Sequence, residues 1–133
     1  MGALEGDVGV ILVDHGSRFD AANAMLDEVA RTFQEVSGAA IVEPAHMELA
    51  EPTVAQAFHR CVTRGAKRIV IHPYFLSPGR HSTTDIPRLA AEAAAKHPGV
   101  AYCVSEPLGL DARLTEVIER RVEEALSALE KGA

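Results

Sequence analysis

The hydrophobic residues of this chain fall into short unbroken runs that alternate with longer stretches spaced three and four apart. Val8–Asp14 is a compact apolar, β-branched run and predicts a strand. Phe19–Ser37 follows, with Ala22, Met25, Leu26, Val29, Phe33 and Val36 on one side of a helix that stops at Gly38. Ala39–Met47 predicts a second strand, interrupted by Glu43 and Pro44. Thr53 then caps a helix whose stripe is Val54, Ala57, Phe58, Cys61 and Val62, ended by Gly65. Arg68–Leu76 predicts the third strand. Thr84–Lys96 predicts an alanine-rich helix with Pro87 in its first turn. Val100–Val104 is the fourth strand. Asp111–Leu129 closes the series as an amphipathic helix whose inner side carries Leu114, Val117, Ile118, Val122, Ala125, Leu126 and Leu129.

Four strand–helix units in succession predict an α/β fold, a four-stranded parallel sheet with helices on both faces, built from flavodoxin-like βα units. Right-handed crossovers place every strand-to-helix loop on one edge of that sheet. Residues 1–133 read as this single domain, with residues 1–6 expected to be disordered.

Composition narrows the function classes. With 133 residues, 47% hydrophobic and 24% charged, the chain is long enough to bury a core without staples. No apolar stretch approaches the roughly 20 residues that span a bilayer, so no membrane partner is expected. Met1–Asp7 lacks the basic start of a secretory signal. Cys61 and Cys103 have neither a C-x-x-C nor a zinc spacing, and a reducing, cytoplasmic setting is the expectation. A net charge of −6 argues against nucleic acid, and the absence of tryptophan argues against base stacking.

The chemistry gathers where the topology sends the loops. His15 follows the first strand, Glu48 the second, and His81 lies in the loop after the third, so all three open onto one edge. Each alone is an ordinary loop residue. Together, two imidazoles and a carboxylate suit first-row divalent metals such as iron, cobalt or nickel, and they can take protons near neutral pH. His46, two residues before Glu48, is a secondary candidate. Ser17 and Arg18 precede a helix and are placed to hold an anion, while Arg80 and Arg88 flank His81 as carboxylate binders or surface charges. Asp85 reads as a helix cap before it reads as a partner that orients His81. His59, His72 and His97 read as helix-face, sheet-end and helix-terminal residues respectively.

Three segments carry a resemblance. Val-Asp-His-Gly-Ser-Arg at 13–18, His-Met-Glu-Leu-Ala-Glu-Pro-Thr at 46–53 and Pro-Gly-Arg-His-Ser-Thr-Thr-Asp-Ile-Pro at 78–87 stand in order, followed by Glu-Pro-Leu-Gly at 106–109. Over nearly the whole chain this resembles the sirohydrochlorin chelatases, the short class II tetrapyrrole chelatases. The resemblance implies insertion of ferrous iron, or of cobalt, into sirohydrochlorin on the way to siroheme or cobalamin, with nickel a third candidate. The metal is then a substrate, and no cofactor is permanently bound. It also implies that His15 and His81 hold the metal and assist deprotonation, with Glu48 taking part; Ser17, Arg18, Arg80 and His46 stand beside them as candidate substrate-binding residues.

Longer members carry two such domains, so a single unit implies a homodimer with its cleft at or near the interface. Some members bind an iron–sulfur cluster through a cysteine-rich extension. This sequence ends at Lys131-Gly132-Ala133 without those cysteines, and no cluster is expected. Ser82-Thr83-Thr84 replaces bulkier or histidine-containing residues of some members, which leaves the choice of metal open. A non-catalytic metal or tetrapyrrole carrier would use the same residues. A histidine phosphotransferase is disfavoured, because Asp14 stands where that class has arginine.

Overall fold

The computed structural model describes residue 4 and residues 6–132, the side chains of His81 and Ser82 excepted. In chain order these form β1 (Val8–Asp14), α1 (Asp20–Ser37), β2 (Ile41–His46), α2 (Val54–Thr63), β3 (Arg68–Pro73), α3 (Ile86–Ala94), β4 (Ala101–Val104) and α4 (Ala112–Gly132). The strands pair in the order β2-β1-β3-β4, all parallel. The α/β reading of the sequence is the observed fold, a four-stranded parallel sheet.

Alternation along each strand sends side chains to two faces. Ile11, Val13, Ile41, Ala45, Ile69 and Ile71 point to the face covered by α2 and α3, where they meet Phe58 and Ile86 in a fully buried cluster. Val8, Val10, Leu12 and Val42 point the other way and meet Leu26 and Ala30 of α1. Helix α2 starts as its sequence predicts. The Gln56 N–H donates to Thr53 Oγ1 at 3.1 Å and the Thr53 N–H donates to Gln56 Oε1 at 2.8 Å, so two otherwise orphaned donors are satisfied.

Several boundaries differ from the periodicity. β2 ends at His46, and it tolerates Pro44 because it is an edge strand. β3 stops at Pro73, three residues short of Leu76. Residues His81–Asp85 wind into one π-helical turn before α3, and Asp85, in helical conformation, makes no capping hydrogen bond through its side chain. Of residues 1–6, expected to be disordered, only Leu4 and Gly6 are described. Leu4 packs against the cluster under α1, and the rest of that expectation lies outside the described residues.

The largest difference is the last helix. α4 forms over the predicted residues, yet none of them is buried, and among the described residues it packs substantially on no other element. Its supposed inner side faces outward, with Ile118 61% and Leu129 69% exposed. Helices do lie on both faces of the sheet, but α1 alone covers the second face, over β2 and β1. Amphipathic spacing dictates that a helix has an apolar side; it does not dictate which surface that side meets.

Candidate functional site

The parallel pairing of β1 and β2 continues past the ends of both strands. The Met47 N–H donates to the Asp14 carbonyl at 2.9 Å and the Glu48 N–H to the His15 carbonyl at 3.2 Å. The chain then loops back, and the His46 N–H donates to the Pro52 carbonyl at 2.8 Å. These bonds carry His15 and Glu48 to the same place, with His15 Nε2 3.1 Å from Glu48 Oε2. Both side chains remain open to solvent.

Gly16 makes that approach possible. Its φ is +97°, and a Cβ there would lie 1.9 Å from the Glu48 carbonyl oxygen. No side chain fits without moving the Glu48 backbone.

The electrostatics of the pair follow from the ring nitrogens. His15 Nδ1 lies 3.2 Å from the Gly16 carbonyl oxygen, a contact that calls for a proton on Nδ1. Nε2 then faces a carboxylate. The ring nitrogen and the carboxylate oxygen are thus both presented to whatever cation enters between them.

Directly beneath lies a second pair that sequence reasoning missed. Asp14 and His46 are register partners on β1 and β2, and His46 Nδ1 sits 2.6 Å from Asp14 Oδ1. His46 is only 2% exposed. It is therefore first a buried partner of Asp14. It also reaches the wall of a cleft of about 540 Å³ shared with Ser17, Arg18, Asn23 and Glu51. The signal for Asp14 was the parallel register, which aligns the last residues of the two strands.

Ser17 is engaged locally. Its N–H donates to Asn23 Oδ1 at 3.0 Å, its carbonyl accepts from Asn23 Nδ2 at 2.7 Å, and its Oγ accepts from the Phe19 N–H. These bonds set the entry into α1 and leave the exposed Arg18 as the cation of this cleft. Arg88, considered as a flanking cation, pairs at 3.3 Å with Glu92 on its own helix.

The loop after β3 leaves the same sheet edge as those after β1 and β2. It is braced by the Leu108 N–H donating to the Phe75 carbonyl and the Gly109 N–H to the Leu76 carbonyl, at 2.9 and 2.8 Å. This is the contribution of the Glu-Pro-Leu-Gly segment. Further along, the Thr83 N–H and Oγ1–H both donate to the Gly79 carbonyl, pinning the π turn that His81 opens. Arg80 is exposed just before it. The side chain of His81 lies outside the described residues, and so does its pairing with His15. Among the described residues no cluster of three metal-ligating side chains forms; His15 and Glu48 are a two-donor set.

The remaining histidines have other surroundings. His72 Nδ1 donates to Ser105 Oγ at 2.8 Å, whose own proton goes to the Glu106 carbonyl, and burial lowers the pKa of the imidazole. The His97 ring stacks on Phe58 at 5.6 Å and lies 5.4 Å from the ring of His59, away from the strand-end loops. Burial pushes the Cys61 thiol up to about 12, which leaves it without nucleophilic character.

Comparison with known proteins places the chain in a family. The CbiX family model matches residues 9–125. The chain is 50% identical over 125 residues to a chloroplastic sirohydrochlorin ferrochelatase of Arabidopsis thaliana, covering 94% of this chain and 56% of that protein. It is 30% identical over 139 residues to a sirohydrochlorin cobaltochelatase of Methanopyrus kandleri, covering 90% of this chain and 97% of that one. Among solved structures, SirB from Bacillus subtilis with Fe3+ superposes with a TM-score of 0.84 at 26% identity, over 90% of this chain and 48% of that chain. The chain thus spans about half the length of the plant and Bacillus relatives and nearly all of the Methanopyrus one.

Proposed function

This chain belongs to the CbiX family, and we propose that it is an enzyme that inserts a divalent metal, ferrous iron or cobalt, into sirohydrochlorin. The observation that carries this reading is the solvent-open His15–Glu48 pair, set 3.1 Å apart at the edge where the strand-end loops gather. The 50% identity to a ferrochelatase supports iron over cobalt and nickel.

The chemistry follows from that pair. Two pyrrole N–H protons must leave as the metal enters the macrocycle, so the site needs groups that exchange a proton for a cation. The gap between His15 Nε2 and Glu48 Oε2 accommodates either. Two exposed donors hold a metal less firmly than a closed four-ligand site, which suits an ion that must be released into the substrate. His81, carried by the loop after β3, is the further ligand and base. Arg18 and Arg80 offset the carboxylates of the macrocycle, with Ser17 and His46 lining the same entrance.

The metal is a substrate on this reading, and no resident cofactor is needed. The free thiols of Cys61, which is buried, and Cys103, which is exposed, fit a reducing compartment such as the cytoplasm. Among the described residues no helix is long and apolar enough to cross a membrane. The working unit is a homodimer with its cleft at or near the interface, since several relatives are about twice as long.

The test is optical. Sirohydrochlorin is mixed anaerobically with the protein and ferrous, cobaltous or nickel ions in turn, and the absorption of the macrocycle is followed against the protein-free rate. Many turnovers per chain are expected. A change that stops at one equivalent would identify a carrier. His15→Ala and Glu48→Ala each lower the rate at least about tenfold with unchanged circular dichroism; full activity in both would refute the site.

A further inference from the structure

Asp14 and His46 form the most buried ion pair among the described residues, and they lie directly behind His15 and Glu48. Resting on the chelatase reading above, we propose that Asp14 is a positioning residue of the site. Acting through His46, it holds the His15 imidazole and the Glu48 carboxylate at the separation that receives the metal.

Burial frames the inference. Among the described residues His46 is the one polar side chain that is buried. Its Nδ1–H donates to Asp14 Oδ1 at 2.6 Å, a short bond of the charge-assisted kind. A buried polar pair adds little stability that well-packed apolar side chains of similar volume would not supply. What it adds is direction, because a hydrogen bond fixes angle as well as distance. Direction matters at this place in the chain. Asp14 is the last residue of β1, immediately before His15, and His46 is the last of β2, two before Glu48.

His46 is tied on its other sides too. Its N–H donates to the Pro52 carbonyl at 2.8 Å, and it forms a parallel bridge to Thr53. A Cβ on Gly16 would lie 3.2 Å from the His46 Cβ. A shift of His46 is therefore passed both to the loop that carries Glu48 and to the backbone just after His15. That loop is held in a conformation it would not choose alone. Leu49, next to Glu48, has a φ of +72°, in the left-handed region that a leucine seldom enters. Such a backbone persists where the surrounding bonds over-determine it.

The site needs this support, because its own side chains have little. Those of His15 and Glu48 are 41% and 56% exposed, so packing fixes neither of them. Nevertheless Nε2 and Oε2 stand 3.1 Å apart, and at metal–donor distances of about 2.1 Å that bite subtends about 95° at the ion. Misplacement by about 1 Å at a reacting centre costs up to roughly a hundredfold in rate. Asp14 guards the bite without touching the metal.

Titration of the full chain with Co2+ alone, followed by the visible absorption of the bound ion, reads the positioning without turnover. Steady-state rates with sirohydrochlorin and circular dichroism accompany it. The unmodified protein is expected to bind Co2+ at a site that His15→Ala abolishes. Asp14→Ala is expected to weaken that binding about tenfold and to raise the KM for the metal in step, with the KM for sirohydrochlorin unchanged. Asp14→Asn, which keeps an oxygen for the Nδ1–H, recovers most of the loss. The double variant D14L/H46L fills the same space without the bond; it is expected to fold as stably as the unmodified protein and to show the Asp14→Ala loss.

Co2+ binding that His15→Ala leaves intact overturns the site reading and the positioning together. Where His15→Ala does abolish it, unweakened binding in Asp14→Ala overturns the positioning alone. So does an Asp14→Asn protein as weak as Asp14→Ala, because the carboxylate then acts by its charge. A D14L/H46L protein that binds Co2+ normally reduces the pair to packing. A rise in the KM for sirohydrochlorin in place of the metal makes His46 a substrate contact. Failure of both Asp14→Ala and D14L/H46L to fold makes the pair purely structural, and each of these three results also overturns the proposal.

Discussion

The two faces of the sheet are completed in different ways. Under α2 and α3 the core is closed by segments that follow one another directly in the chain, and Phe58, Ile69, Ile71 and Ile86 are all at most 1% exposed. Under α1 the sheet is covered over β1 and β2 only, and the helix that could finish the layer stands apart. The closed face supplies the rigid base of the site. The open face has apolar surface that a single copy does not bury, which is the usual mark of an interaction surface.

The difference makes mutations on the two faces separable. Phe58→Ala removes the largest fully buried side chain of the closed face and is expected to cost about 3–5 kcal/mol. Its melting temperature should fall by the same amount at every protein concentration, read by calorimetry. Leu126→Ala, on the helix of the open face, should cost only about 1–2 kcal/mol. On the homodimer reading proposed above, a contact between copies predicts a loss that shrinks as the protein is diluted. A concentration-independent loss for Leu126→Ala would erase the contrast.

Two glycines sharpen the link from the closed base to the site. Gly16→Ala forces a Cβ into the Glu48 carbonyl and is expected to lower turnover roughly a hundredfold, since it displaces the loops that hold His15 and Glu48. Gly38→Ala shares a positive φ but meets nothing within 4 Å. It should cost about 1 kcal/mol of stability and leave turnover unchanged. Equal turnover in the two variants would show that the close approach at Gly16 is not needed.

The smallest effect concerns pH on the open face. Burial holds the His72 pKa below its ordinary 6.5, so between the lowered value and 6.5 the unfolded chain binds more protons than the folded one. The neutral ring's contribution to stability is thus fully present above pH 6.5 and is lost as pH falls through that window. His72→Gln should flatten the dependence of the urea midpoint on pH there, an effect below about 1.4 kcal/mol per pH unit. An unchanged slope would place the titrating group elsewhere.

Much of the site was legible because topology does geometric work. Once four βα units are read from the spacing of apolar residues, the ends of the first two strands must be neighbours, and His15 and Glu48 meet as that reading requires. The Asp14–His46 pair was harder to see, because it depends on which residues of two strands share a register. The sequence offers the Ser17 amide to an anion; in the structure the Ser17 backbone N–H and carbonyl bond Asn23, six residues on, through the way the loop folds into α1. The π turn at 81–85 had no signature in hydrophobic spacing.

By itself, the amino-acid order determined the elements, the parallel sheet and the edge that collects the strand-end loops. Those features follow from local periodicity and from the handedness of short connections, which act within neighbouring segments. Tertiary structure alone decided that Asp14 grips His46, that Gly16 touches the Glu48 backbone, and that the apolar side of α4 turns away from its own sheet. Such outcomes depend on packing between parts distant in sequence, where many partners satisfy the same pattern and shape selects among them.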